Sequence, residues 1–378
     1  MQTIQPATQK QRLQSLDFFR GLTVATMTLV NNPGDWGHIY TPLEHAAWNG
    51  CTVADLVFPS FLFIMGVSVV YAMQSARADV ANHGKMITKV LRRALIIFAL
   101  GLLMSTFLIW DLGTIRIPGV LQRIALVYLI CGLLFIKTGT KVQAAIIAFV
   151  LVVYYLLMTF VPVPGVGPAN LQPETNLGAW LDRTIFTTAH LWKESKTWDP
   201  EGLLSTLPAI GTGLLGVLTG TWLKRKDVTD KTKVYRLLFA AALLVGTGLV
   251  WNTFFPINKA LWTSSYVLFV GGLSMACLTL CYWLIDVHGY RRFIKPFLVY
   301  GMNAIVVFVA SGMMARAMNK IKISFDGEPM SLSYGLYHKY FEPYFSPLNA
   351  SLAWAIAYVL FWMAILWVMY NKRIFIKI

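Results

Sequence analysis

Charge is scarce in this chain. Only 13% of its 378 residues are Asp, Glu, Lys or Arg, about half the share usual in a soluble domain. With 57% hydrophobic residues and a mean hydropathy of +0.59, that shortage excludes a soluble globular chain, a disordered one and a collagen-like one. Cysteine is scarce too. Cys51, Cys131, Cys277 and Cys281 are the only four, with no Cys-x-x-Cys among them, which excludes a disulfide scaffold. Cys277 and Cys281 are one helical turn apart in an apolar run and are expected to be small core residues. No internal repeat, serine nucleophile elbow or phosphate-cradling glycine loop is evident, and no His or carboxylate pair has metal-ligand spacing, so no metal is expected. Residues 1–14 are polar and no small-residue cleavage site follows the first apolar stretch, so that stretch is expected to stay in the mature protein.

Apolar runs make up most of the rest. A span takes about 20 mainly apolar residues, and runs of that length predict an all-α, polytopic membrane protein forming one domain over 1–378. Ten helices are expected, at 14–32, 53–73, 90–110, 117–136, 142–162, 203–223, 234–254, 261–285, 296–315 and 350–371. The net charge of +15 would suggest nucleic acid in a soluble chain, but no basic stripe with interleaved aromatics lies outside the spans. Of the 32 basic residues, 22 fall at the termini and in alternate loops, which places both termini in the cytoplasm by the positive-inside rule. Three long segments, 31–52, 162–202 and 315–350, are then external. They carry Trp36, Trp48, Trp180, Trp192 and Trp198, which read either as interfacial anchors or as stacking faces for a sugar.

Ionisable groups at membrane depth are costly and point to function or to a partner. Asp17 and Arg20, at i and i+3, can pair on one face of the first span. Arg123 is about 9 Å inside the fourth span at 1.5 Å per residue and needs a partner there. Asp55 and Glu201, at the outer starts of the second and sixth spans, are the candidates, and both gain from the positive end of a helix dipole. A structural clamp and a ligand-binding cluster are both open. Pro59 is the clear mid-span breaker.

The most informative stretch runs from Val30-Asn31-Asn32-Pro33-Gly34 through Glu44-His45-Ala46-Ala47-Trp48-Asn49-Gly50 to Thr52-Val53-Ala54-Asp55-Leu56-Val57-Phe58-Pro59. A histidine in an external loop between two membrane helices can serve as a base near neutral pH. His38, His83, His190, His288 and His338 read as ordinary loop residues.

These blocks resemble the transmembrane acetyltransferase family of heparan-α-glucosaminide N-acetyltransferases and their bacterial NagX-type relatives. So do Leu16-Asp17-Phe18-Phe19-Arg20-Gly21, Arg116-Ile117-Pro118-Gly119-Val120-Leu121-Gln122-Arg123, Trp198-Asp199-Pro200-Glu201-Gly202, Pro256-Ile257-Asn258-Lys259-Ala260-Leu261-Trp262 and Gly301-Met302-Asn303. The resemblance keeps its order from Leu16 to about Phe308, although the loop ahead of His45 is longer here. It implies transfer of acetyl from cytosolic acetyl-CoA to the amine of glucosamine, or of a terminal glucosamine, on the far side of a bacterial inner membrane. His45 would be the catalytic residue, and Asn31, with Asn32 as its rival, the asparagine that accompanies it. The chemistry suits an imidazole that takes the amine proton in direct transfer, or one that carries the acetyl group as an acetyl-histidine, with an amide N–H that faces the oxyanion. Asp55, Glu201, Arg123 and Trp48 would then hold the acceptor. Arg20, with Asp17 beside it, and Arg92 and Arg93 would meet the CoA phosphates. Beyond acetyl-CoA, the amino sugar and the lipid bilayer, a homodimer is the candidate partner and no nucleic acid is expected. An amino-sugar transporter and an O-acyltransferase of a cell-wall glycan are the alternatives.

Overall fold

The computed structural model describes residues 13–325 and 328–376, so most of the polar stretch before the first span lies outside the described residues. Thirteen α-helices follow one another in these residues: α1 Gln14–Val30, α2 Val53–Arg77, α3 His83–Thr106, α4 Val120–Lys137, α5 Thr140–Phe160, α6 Leu177–Phe186, α7 Leu203–Leu223, α8 Asp230–Trp251, α9 Ser264–Cys281, α10 Lys295–Met302, α11 Ala304–Lys320, α12 Leu332–Tyr340 and α13 Pro347–Asn371. Seven of them are long and apolar enough to cross a membrane: α2, α4, α5, α7, α8, α13, and α9 with its π-helical extension Tyr282–Val287. An eighth span arises if α10 and α11 count together. α1 has 17 residues, and α3 opens on a turn-by-turn run of Lys85, Lys89, Arg92 and Arg93, so neither meets the same criterion. Each of the ten expected spans nevertheless coincides with one of these helices or, at 296–315, with the bent pair.

Three details depart from expectation. Pro59 leaves α2 unbroken, and α7 carries a second internal proline, Pro208. The break comes instead between α10 and α11, which meet at 79° around Asn303. That side chain is buried. Its Nδ2 donates to the Ile374 carbonyl at 3.1 Å and its Oδ1 accepts from Ile376 N–H at 3.1 Å, so the amide at the bend ties down the segment that follows α13. Cys277 is exposed rather than a core residue, whereas Cys281 is half-buried and packs against the main hydrophobic core. The all-α reading also missed one small antiparallel pair, β1 Lys322–Phe325 with β2 Glu328–Ser331.

Glycine brings helices together at backbone distance. On α2 and α7, a Cβ at Gly66 would stand 2.0 Å from the Gly213 carbonyl oxygen, and one at Gly216 would stand 2.0 Å from the Phe63 carbonyl oxygen. Gly21 of α1 and Gly301 of α10 make a second such seam, each fitted against the other helix's main chain. Loops tie the two ends of the bundle. At one end Asp286 accepts from the main-chain N–H groups of Gln14 and Ser15 at 3.2 and 3.0 Å, an anion at the positive start of α1. At the other end the segments before α2, α7 and α9 meet, and His45 lies there.

Candidate functional site

The loop before α2 folds around one carboxylate. Thr52 precedes α2 in an extended conformation, and Asp55, three residues on, reaches back to its main-chain N–H at 3.0 Å, one half of a capping box. The same oxygen, Oδ2, accepts from Ala46 N–H at 3.0 Å and from Thr52 Oγ1 at 3.2 Å. Oδ1 is left for His45, whose Nδ1 lies 2.7 Å away. Asp55 is 1% exposed and the His45 side chain 43% exposed, so a buried anion holds a ring that faces outward. Gly50, at φ +113°, turns the chain as only glycine does without strain. Its N–H donates to the Ile257 carbonyl at 2.8 Å.

That last bond brings in the segment between α8 and α9, which supplies a residue the sequence reading did not single out. Lys259 Nζ is 3.1 Å from His45 Nδ1, 3.3 Å from its Nε2 and 3.5 Å from Asp55 Oδ1. Burial pulls its pKa below the usual lysine range, against the opposing charges of Asp55 and Glu201. Neighbouring Asn258 is fully buried and fixes the segment: its Nδ2 donates to Asn49 Oδ1 at 3.2 Å and its Oδ1 accepts from Leu261 N–H at 2.8 Å. Trp262 is held at φ +53°, a strained conformation for a bulky residue. Its ring packs edge-on against Phe58 and Tyr266, and Tyr266 donates its hydroxyl to the Asp55 main-chain carbonyl at 2.6 Å. Cys51 is also close, but burial, with Asp55 adding to it, pushes its thiol up to about 12. It is therefore no thiolate nucleophile at neutral pH.

Arg123 and Glu201 do not pair as expected. Glu201 Oε2 accepts from Arg116 at 2.5 Å, and Arg116 also forms a two-pronged contact with Asp199 at 2.6 and 2.8 Å. Burial would lower the Arg116 pKa, but these two carboxylates outweigh it and raise it. Arg123, 1% exposed, instead donates to the Gly202 carbonyl at 3.1 Å and to Ser205 Oγ, and lies 5.0 Å from the centre of the Trp262 ring. Its Nε and Nη1 have no hydrogen-bond partner among the described residues. The carboxylates stay one residue layer above it because the turn at Asp199 and Glu201 faces Arg116. Asp182 completes this layer. Its Oδ1 accepts from Leu203 N–H at 2.8 Å at the start of α7, and burial pushes its pKa up to about 7.

One expected result follows for Arg123. Replacement by Met removes no direct partner of a carboxylate and leaves only the Ser205 hydroxyl short of a donor, since the Gly202 carbonyl still accepts from Ser205 and Thr206, so thermal unfolding in detergent should register a loss of about 1–3 kcal/mol. A loss of about 3–5 kcal/mol, the size for breaking a buried ion pair, would mean that Arg123 carries Glu201 or Asp199 after all.

Asn31 ends α1 with its main-chain N–H bonded to the Met27 carbonyl at 3.1 Å. Its exposed side-chain amide has no hydrogen-bond partner among the described residues, whereas Asn32 Nδ2 is spent on the Thr28 carbonyl at 2.7 Å. No hydrogen bond joins Asn31 to His45. Trp48 is half-buried, its Nε1 donating to the Leu171 carbonyl at 3.0 Å and its ring meeting Trp198 edge-on at 5.2 Å; it works here as a brace between loops. At the other end of the bundle, Arg20 reaches Asp17 and, through Nε, the Gly301 carbonyl at 2.7 Å, so the pair clamps α1 to α10. Arg92 and Arg93 are exposed on α3, with Arg93 5.0 Å from the centre of the Tyr128 ring.

Residues 12–251 match the family described as "Heparan-alpha-glucosaminide N-acetyltransferase, catalytic". A human protein named heparan-alpha-glucosaminide N-acetyltransferase is 29% identical over 443 aligned residues, covering 99% of this chain and 62% of its own length. A mouse protein of the same name is 32% identical over 364 residues, covering 81% of this chain and 54% of its own length. The chain thus spans just over half to about three fifths of these curated relatives.

Proposed function

Because the chain belongs to the heparan-alpha-glucosaminide N-acetyltransferase catalytic family, we propose that it is a membrane-spanning N-acetyltransferase. It would move acetyl from cytosolic acetyl-CoA to the amine of glucosamine, or of a terminal glucosamine, on the His45 side. The observation that carries this reading is the buried Asp55 carboxylate on His45 Nδ1. It keeps the proton on that nitrogen and turns the Nε2 lone pair outward as a base, the logic of an aspartate behind a catalytic histidine. In direct transfer, Nε2 takes a proton from the acceptor amine as its nitrogen bonds to the thioester carbonyl carbon. The carbonyl oxygen gathers negative charge, then the C–S bond breaks and the CoA thiolate leaves. Lys259, within 3.3 Å of Nε2, supplies positive charge where that oxyanion forms, and the Asn31 amide is a second donor. Glu201, already engaged by Arg116, faces the acceptor from the α7 side.

In this reading the protein crosses the bacterial inner membrane ten times, with α1, α3 and the α10–α11 pair completing the set and both termini cytoplasmic. Acetyl-CoA is a polyanion, so its phosphates stay at the basic end of the bundle, with Arg20, Asp17, Arg92 and Arg93 as the residues to test there, while the uncharged pantetheine arm reaches inward. In vesicles of uniform orientation, acetyl-CoA on the cytoplasmic face and glucosamine on the other should give N-acetylglucosamine on the His45 side, and exchanging the two should give little. Product only when both share one face would overturn transfer across the membrane, and uptake of unmodified amino sugar would favour a transporter.

A further inference from the structure

A cavity of about 620 Å³ opens between the ends of α3, α4 and α11 on the His45 side of the bundle, within the size range of ligand pockets. Its two walls differ in chemistry. One is apolar, built from Met104, Phe107, Leu108, Ile109 and Phe308. It continues outward into Trp110 and Leu112, which are 77% and 75% exposed. The other wall holds Arg116, Lys193, Arg316 and Lys320 against only Asp111 and Glu194. Arg116 is satisfied by Asp199 and Glu201, but Arg316 has no hydrogen bond or ion pair among the described residues, and the like charge of Arg116 repels it. Among the described residues Lys320 reaches only the Leu108 main-chain carbonyl. Asp111 is turned towards Gly113 and Thr114. Gln122 lines the same cavity, is 4% exposed and leaves its Nε2 without an acceptor. A guanidinium kept open beside another, an ammonium and a buried amide N–H with nothing to donate to together form a set of donors waiting for an anion.

We propose that this cavity binds an anionic amphiphile drawn from the adjoining leaflet: its phosphate sits among Arg316, Lys320 and Gln122, and its chain lies along Met104, Phe107, Ile109 and Phe308. A free phosphate would use the same donors but would leave the apolar wall and the exposed Trp110 uncovered, which is why a lipid is the occupant inferred. The site is separate from the His45 centre, and Arg116 is the link between them, since its guanidinium lines the cavity and carries Glu201. An occupant that neutralises the cavity therefore relieves Arg116 of a repelling neighbour while leaving its two carboxylates in place.

The test uses the purified full chain without acetyl-CoA, so that its outcome is independent of the acetyltransferase reading. Phosphatidylglycerol, phosphatidylcholine or inorganic phosphate is added in detergent, and bound lipid is read by native mass spectrometry alongside the thermal midpoint. Phosphatidylglycerol is expected to be retained and to raise the midpoint, and phosphatidylcholine and inorganic phosphate to do neither. Arg316→Gln with Lys320→Gln should weaken phosphatidylglycerol retention about tenfold or more, and Arg316→Lys should keep most of it. Equal retention of the two lipids by the unaltered protein, which needs no variant to fold, would overturn the proposal. So would full retention by the folded double variant, or displacement of the lipid by inorganic phosphate alone.

Discussion

His45→Ala should leave a folded protein whose acetyl transfer is lower by about 10²- to 10⁴-fold, the range general-base groups contribute. The fold is expected to survive because the imidazole is partly exposed and makes its contacts through Asp55 Oδ1 and Lys259. The loop itself is held by Oδ2 through Ala46 and Thr52. Removing the ring lets Lys259, already 3.5 Å from Asp55 Oδ1, close on the freed oxygen, so no buried anion is stranded. Turnover and thermal midpoint measured on one preparation check both halves. Wild-type-like turnover in that preparation would take the histidine out of the mechanism.

Asp55→Asn is expected to cost a comparable factor, about 10²- to 10⁴-fold, by a different route. An asparagine there can place its oxygen where Oδ2 now accepts from Ala46 N–H, Thr52 N–H and Thr52 Oγ1, which preserves the loop. Its NH₂ then points at His45 Nδ1 and donates to it. That forces the ring proton onto Nε2 and removes the lone pair proposed to take the amine proton. Thermal stability should fall much less than turnover, and substrate KM should change less than kcat. A variant that loses stability and activity in proportion would assign Asp55 to the loop alone.

The helices were legible because each apolar run is long enough to span a bilayer and is closed by charge or by Pro and Gly. Their ends were less so. α3 begins at His83, seven residues before the apolar run, because Lys and Arg side chains can emerge from a membrane helix and leave its backbone bonds intact. The bend at Asn303 escaped notice because no proline marks it, and the contacts of the Asn303 amide, to Ile374 and Ile376, are more than seventy residues away. The four-residue strands β1 and β2 are too short to carry a periodic signal. At the site, Asp35, His38 and Glu44 share the loop with His45, so it was the resemblance carried by Glu44 to Gly50, rather than isolation, that made His45 readable. Asp55 was read as a partner for Arg123, since both lie near the outer membrane boundary, and only the folded loop shows its carboxylate turned to His45. Lys259 reads in sequence as one more loop charge, and 214 residues separate it from the imidazole it touches.

The two glycine seams set the mechanics of the whole bundle. Where α2 meets α7 at Gly66 and Gly216, and where α1 meets α10 at Gly21 and Gly301, main chain rests on main chain with no side chain between to rotate aside, so each pair is expected to move as one unit. The first seam lies below Asp55 and, just ahead of α7, Glu201, so the helix starts that carry these two carboxylates are expected to keep a fixed separation. In the proposed transfer, a passage for the pantetheine arm would then open along boundaries filled by larger, rotatable side chains rather than along either seam, and the flexible donor would be threaded past a close-packed frame instead of two halves of the protein rocking about a substrate.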